Sequence, residues 1–197
     1  MSPATKSRRP SGRSSRTAPK GGAPIFLFVL IGIVAVAALL TVAAVVTSSE
    51  DEPSSSAGRP APTLEGNDLA GDPLTIPAEG PKLVVFLAHW CPHCQAEVPL
   101  LVDWIDSGGV PDGVEVYGVA TSNDPNADNH PAADWLAREG WQQPTLLDTE
   151  ANDDALAYGV EGFPYLAFVD ADGTIVDTLS GEQPISDVQA RAEALVE

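Results

Sequence analysis

Only two cysteines occur in this chain of 197 residues, and they stand together in Trp90-Cys91-Pro92-His93-Cys94. Sulfurs at that spacing lie one helical turn apart on the same side, where they can form and break a disulfide. The chemistry open to such a pair is thiol–disulfide exchange, in which a thiolate is the attacking species. The pentapeptide follows an apolar run, Lys82–Ala88 (KLVVFLA), and precedes apolar residues at 94, 98, 101 and 105. That spacing predicts a helix from Cys91 to about Asp106, with Cys91 at its N-terminus. Unpaired N–H groups and the helix dipole there favour negative charge, so the Cys91 thiol is expected to ionise readily. Cys94 is then the resolving thiol, Pro92 fits the first helical position, and His93 can place a positive charge close to the Cys91 sulfur.

Competing uses of the pair are weaker. A bridge that closes a two-residue loop constrains the unfolded chain little. Zinc usually needs four protein ligands, and two cysteines supply half of them.

The elements that must position the pair can be read from periodicity. Pro62 to Pro77 reads as two short strands around a Gly71-Asp72 turn, and Lys82–Ala88 as a strand buried on both faces. Val114–Ala120 is a second core strand, followed by an Asn- and Asp-rich loop, Ser122–His130. Helices are expected at Pro131–Glu139 and Ala151–Tyr158, with a short strand at Pro144–Asp148 between them. Pro164–Val169 and Thr174–Leu179 form a hairpin around Asp170-Ala171-Asp172-Gly173. The last helix is expected to start at Ser186, where Ser186 and Gln189 have capping-box spacing, with Val188, Ala192 and Leu195 on its inner face. This alternation predicts an α/β fold with parallel strands and an antiparallel edge.

The rest of the chain reads as anchor and tether. Ile25 to Val46 is a stretch of 22 uncharged, predominantly apolar residues, long enough as a helix to cross a hydrocarbon core of about 30 Å. Six of the ten basic residues lie in the first twenty positions, whereas all 28 acids lie at or after Glu50. The positive-inside rule puts residues 1–24 in the cytoplasm as a basic, disordered segment and the rest outside. A cleaved signal peptide is the alternative reading of 25–46. Residues 47–61 read as a polar tether, and 62–197 as the folded domain. With four bases against 28 acids from residue 50 onward, this part repels phosphate backbones, and nucleic-acid binding is excluded.

On WCPHC after an apolar strand, Glu97 and Pro99 in CQAEVP, and Gly162-Phe163-Pro164 before the last hairpin, the chain resembles the thioredoxin superfamily. The likeness is to its membrane-tethered, extracytoplasmic TlpA/ResA-like members, and it covers about two-thirds of the chain. It implies a thioredoxin-like fold, with a central mixed sheet flanked by helices, an N-terminal hairpin and a short α/β insertion between Asn126 and Gly159. It also implies a cis bond before Pro164, which would lie against the disulfide, with the Phe163 backbone binding substrate. Trp90 would belong to the rim and touch substrate. Glu97 would assist proton transfer, its alternative being an ordinary exposed helix acid. Thioredoxin carries a buried Asp six residues before its first cysteine; Val85 stands there in this chain.

The resemblance implies no cofactor. It implies client proteins with thiols or disulfides, and a separate membrane redox partner. For a reductase that partner would be of the CcdA/DsbD type, and for an oxidant a quinone-linked oxidase. The Pro92-His93 pair is like that of the oxidising DsbA group, while the overall likeness leans to reduction. A copper chaperone using both sulfurs and His130 is the alternative of another class. His89 is expected on the solvated surface, and His130 at the surface or capping a helix. Trp104, Trp135 and Trp141 are expected to pack.

Overall fold

The computed structural model describes residues 56–197, so the expected segment 1–24, the apolar stretch 25–46 and most of the tether lie outside it. Among the described residues no helix is long and apolar enough to cross a membrane.

Seven strands form one mixed sheet in the order β2-β1-β5-β4-β3-β6-β7. They are β1 (Leu64–Asp68), β2 (Pro73–Ile76), β3 (Lys82–Leu87), β4 (Glu115–Ala120), β5 (Thr145–Leu147), β6 (Tyr165–Val169) and β7 (Ile175–Ser180). The helices are α1 (Pro92–Asp106), α2 (Ala132–Arg138), α3 (Asp153–Tyr158) and α4 (Ile185–Glu193). Strand β3 runs parallel to β4, and β4 parallel to β5, with α1 and α2 as the connections. Both terminal hairpins add antiparallel pairs, β1 with β2 and β6 with β7.

Alternation along β3 explains why its sequence is apolar throughout. Leu83, Val85 and Leu87 face a core that also takes in Val98, Leu101 and Trp104 of α1, Trp135 and Leu136 of α2, and Val188 and Ala192 of α4. Val84 and Phe86 face the other core, with Val119, Leu146, Ala155 and Tyr158. Each fully buried Leu, Val or Phe contributes about 1.5–3 kcal/mol, so the strand is held from both sides. Its one charged residue, Lys82, is buried with its Nζ donating to the carbonyls of Ala78, Glu79 and Gly80. Three acceptors for three protons make this burial tolerable.

The sheet also needs a close approach at Gly118 on β4. A Cβ there would lie 2.6 Å from the Thr145 hydroxyl oxygen, which accepts the Trp141 indole N–H at 2.8 Å and donates to the Gln143 carbonyl. Gly118→Ala should therefore lower stability by about 1–3 kcal/mol, read as a lower urea midpoint at unchanged slope.

Two local expectations differ from the structure. Helix α4 starts at Ile185 after Pro184, one residue before Ser186, and has no side-chain cap. Ser186 is thus already helical and its hydroxyl meets the Asp187 carboxylate, while Gln189 donates to Glu193; the capping box does not form. Residues 56–61, expected as the end of the tether, are bonded to the fold. Pro60 bridges to Thr174, the Gly58 N–H donates to the Ile175 carbonyl, and the buried Ser56 hydroxyl donates to the Tyr158 carbonyl. This segment pairs with the start of β7, satisfying the outer N–H and C=O of Ile175.

Candidate active site

Strand β3 ends at Leu87 and α1 begins at Pro92, so the motif turns directly from the centre of the sheet into a helix N-terminus. Cys91 is the N-cap residue, with Pro92 at the first helical position as expected. Both sulfurs are thiols, and their environments differ. Cys91 sits at the rim, slightly exposed, and its thiol donates to the Phe163 carbonyl at 3.7 Å. Cys94 has no exposure at all. Burial, reinforced by the neighbouring Cys91 and Glu97 charges, pushes its thiol well above the ordinary range.

The Phe163–Pro164 bond is cis, as the resemblance implies. Its loop leads into β6, which pairs with β3, and this pairing sets Phe163 beside the first cysteine. Trp90 keeps 40 % of its surface exposed. Its indole N–H donates to the Ser122 carbonyl at 2.7 Å, and its ring meets Phe163 edge-on at 6.3 Å. The exposed Trp90 and the half-buried Phe163 thus form an aromatic rim beside Cys91, suited to an incoming chain.

Glu97 is not the exposed acid that its polarity allows. It retains 1 % of its surface, on the same side of α1 as Cys94 and Val98. Its Oε2 accepts the Gln183 N–H at 3.1 Å, and Oε1 is buried without a partner. Burial raises its proton affinity above that of an ordinary carboxylate; the Gln183 bond opposes this and the nearby Glu182 charge adds to it. Val85, where thioredoxin carries its acid, is fully buried among apolar neighbours. Glu97, by contrast, is a carboxylate whose charge acts on the Cys94 thiol.

His93 meets a carboxylate from the loop after β7. Its Nδ1 lies 2.5 Å from Glu182 Oε1, both side chains being about half exposed or more.

His89 overturns its expected place on the surface, since it is fully buried. Its Nε2 accepts the Asp124 N–H at 3.2 Å and its Nδ1 donates to the Asp128 carbonyl at 2.8 Å, which assigns the neutral tautomer with the proton on Nδ1. Its own carbonyl accepts the Gln95 and Asn129 amides. The loop that supplies Ser122 to Trp90 is thus fastened to the motif two residues before Cys91. His130 is exposed as expected, with its ring edge-on to His89 at 5.5 Å. Among the described residues no group of three or more His, Cys, Asp or Glu is arranged to hold a metal. Trp104, Trp135 and Trp141 are buried packing residues, as expected.

Periodicity gave no sign of Ser122, Asn152, Glu182 or Gln183. Asn152, in a left-handed conformation, accepts the Ser122 N–H and so turns that residue's carbonyl toward Trp90. Asn is among the few residues that adopt this backbone readily, a signal visible in retrospect.

The Redoxin family model matches residues 56–195. The thiol:disulfide interchange protein DsbE of Pseudomonas fluorescens is 33 % identical over 134 residues, covering 66 % of this chain and 69 % of the relative. The thiol:disulfide interchange protein HelX of Rhodobacter capsulatus is 31 % identical over 133 residues, covering 66 % and 70 %. A secreted Mycobacterium tuberculosis disulfide oxidoreductase homologous to Escherichia coli DsbE superposes with a TM-score of 0.56. It shares 22 % identity, over 67 % of this chain and 96 % of that structure, a likeness of fold.

Proposed function

The chain belongs to the Redoxin family as a thioredoxin-like thiol–disulfide oxidoreductase, and from that premise we propose that it reduces client-protein disulfides outside the cell membrane. Residues 25–46 anchor it, residues 1–24 stay in the cytoplasm, and the redox domain stands outside on its tether. The observation that carries the mechanism is the asymmetry of the two thiols, with Cys91 at the aromatic rim and Cys94 buried beside Glu97.

The Cys91 thiolate attacks a client disulfide held along the Phe163 backbone and against Trp90. A Cys91–client bond forms, the client bond breaks, and the departing client sulfur takes up a proton. Cys94 then gives its proton to the Glu97 carboxylate and attacks the Cys91 sulfur. The Cys91–Cys94 disulfide forms, and the second client sulfur leaves as a thiolate that takes its proton from water. Two electrons have passed to the client, and a membrane dithiol carrier of the CcdA/DsbD type restores the pair. A raised proton affinity at Glu97 suits this role, because a general base works best when its affinity is tuned upward toward the operating pH.

Direction is tested by the equilibrium of the full-length chain, in detergent, with a glutathione buffer. A potential at or below roughly −230 mV supports reduction. A value near that of DsbA, about −120 mV, overturns it in favour of oxidation of exported chains, with a quinone-linked oxidase as the partner.

A further inference from the structure

Three consecutive residues between β7 and α4 each touch a different part of the site. The Gly181 N–H donates to the Pro164 carbonyl at 2.8 Å. The Glu182 carboxylate meets the His93 ring at 2.5 Å, and the Gln183 N–H donates to Glu97 at 3.1 Å. The first and third bonds fix where the second stands, so the Glu182 carboxylate is held over the first turn of α1.

We propose that Glu182 is a positioning residue that sets the reduction potential of the Cys91–Cys94 pair by binding and neutralising the His93 imidazolium. This deepens the proposed function and rests on Cys91–Cys94 as its redox couple. An uncompensated imidazolium in the first turn would stabilise a thiolate at Cys91, hence the reduced form, and make the pair oxidising. With the Glu182 carboxylate on the ring, the sulfur faces a neutral pair instead.

No other described cation is placed to restore that charge. Lys82 lies at the opposite end of β3 among carbonyls, Arg59 is bonded to Ser56, Arg138 to Asn129 and Arg191 to Asp177. The other ionisable groups around this end of α1 are Glu97, the two thiols, His89, whose Nε2 accepts the Asp124 N–H and so carries no proton, and His130, which stands behind the His89 ring; all of them are the same in every member of the cycle below. The His93–Glu182 pair is exposed, so it adds little to stability and its removal leaves the fold intact.

The test is a double-mutant cycle in the full-length chain at pH 5.5 and low salt, where an ordinary imidazole is charged and screening is weak. Glutathione equilibria are measured for the parent chain, E182Q, H93F and H93F/E182Q. E182Q is expected to shift the equilibrium toward the dithiol by about tenfold, equivalent to a potential roughly 30 mV more oxidising. In the H93F background the same substitution should shift it less than about twofold. No shift in E182Q overturns the proposal, as does an equal shift in both backgrounds, which would mean that the carboxylate acts without His93. The absolute potential of the parent chain decides reduction against oxidation independently of these differences.

Discussion

Cys91→Ser should reduce insulin disulfides no faster than the buffer thiol alone, a loss on the order of 10³-fold or more. A hydroxyl cannot replace the attacking thiolate, and Cys94 cannot substitute for Cys91. Cys94 is completely buried, its thiol resists ionisation, and no part of it reaches the rim where Trp90 and Phe163 would receive a client. Cys94→Ser should behave differently. It leaves Cys91 in place and removes the only sulfur able to displace a client from it, so the client accumulates as a covalent adduct, visible by non-reducing electrophoresis and released by dithiothreitol. Turnover by Cys91→Ser, or adducts formed by Cys91→Ser and absent from Cys94→Ser, would reverse the two assignments.

The second large effect belongs to Glu97, and it has two signs. Glu97→Gln keeps the shape and the bond to the Gln183 N–H but removes the proton acceptor beside Cys94. Resolution of the mixed disulfide should slow by about 10²–10³-fold, within the range usual for a positioned general base. The dependence of that step on pH should flatten in the carboxyl range. Stability should move the other way. Glu97 binds its proton more tightly in the folded chain than in the unfolded one. Its contribution is complete below the ordinary carboxyl range and is lost as pH rises through the raised native value. Above that raised value the parent chain carries a buried, under-bonded charge, and Glu97→Gln does not. Urea midpoints should put the variant about 1–3 kcal/mol above the parent at pH 8 and converge with it near pH 4. An unchanged rate together with an unchanged pH profile would remove Glu97 from the proton path.

What the sequence disclosed and what it withheld divide along the distance over which each residue is held. The strands and helices were legible because their signal is local. The unbroken apolar run of β3 follows from its two buried faces, and Val188 and Ala192 mark the inner side of α4 by spacing alone. The motif was legible for the same reason, a strand, four residues and a helix. Glu97 was half legible, since its spacing put it on the side of Cys94 but said nothing of the loop that covers it. His89 was misread because its ring partners, Asp124 and Asp128, are 35 and 39 residues away. Glu182 reaches His93 across 89 residues, and no local pattern announces that contact. At Ser186 the spacing was right and the outcome was not, because Pro184 starts the helix one residue early.

The position of β3 between β4 and β6 also has a consequence in time. The half of the site that supplies Phe163 and Pro164 is translated about seventy residues after Cys94, an interval of roughly 4–14 seconds at 5–20 residues per second. Through that interval β3 lacks its neighbour β6, and Cys91 lacks the carbonyl that receives its thiol. The loop holding Glu97 comes later still. The nascent chain thus carries the cysteine pair before its aromatic rim is complete, and the surroundings in which the two thiols differ are finished only when the final hairpin closes.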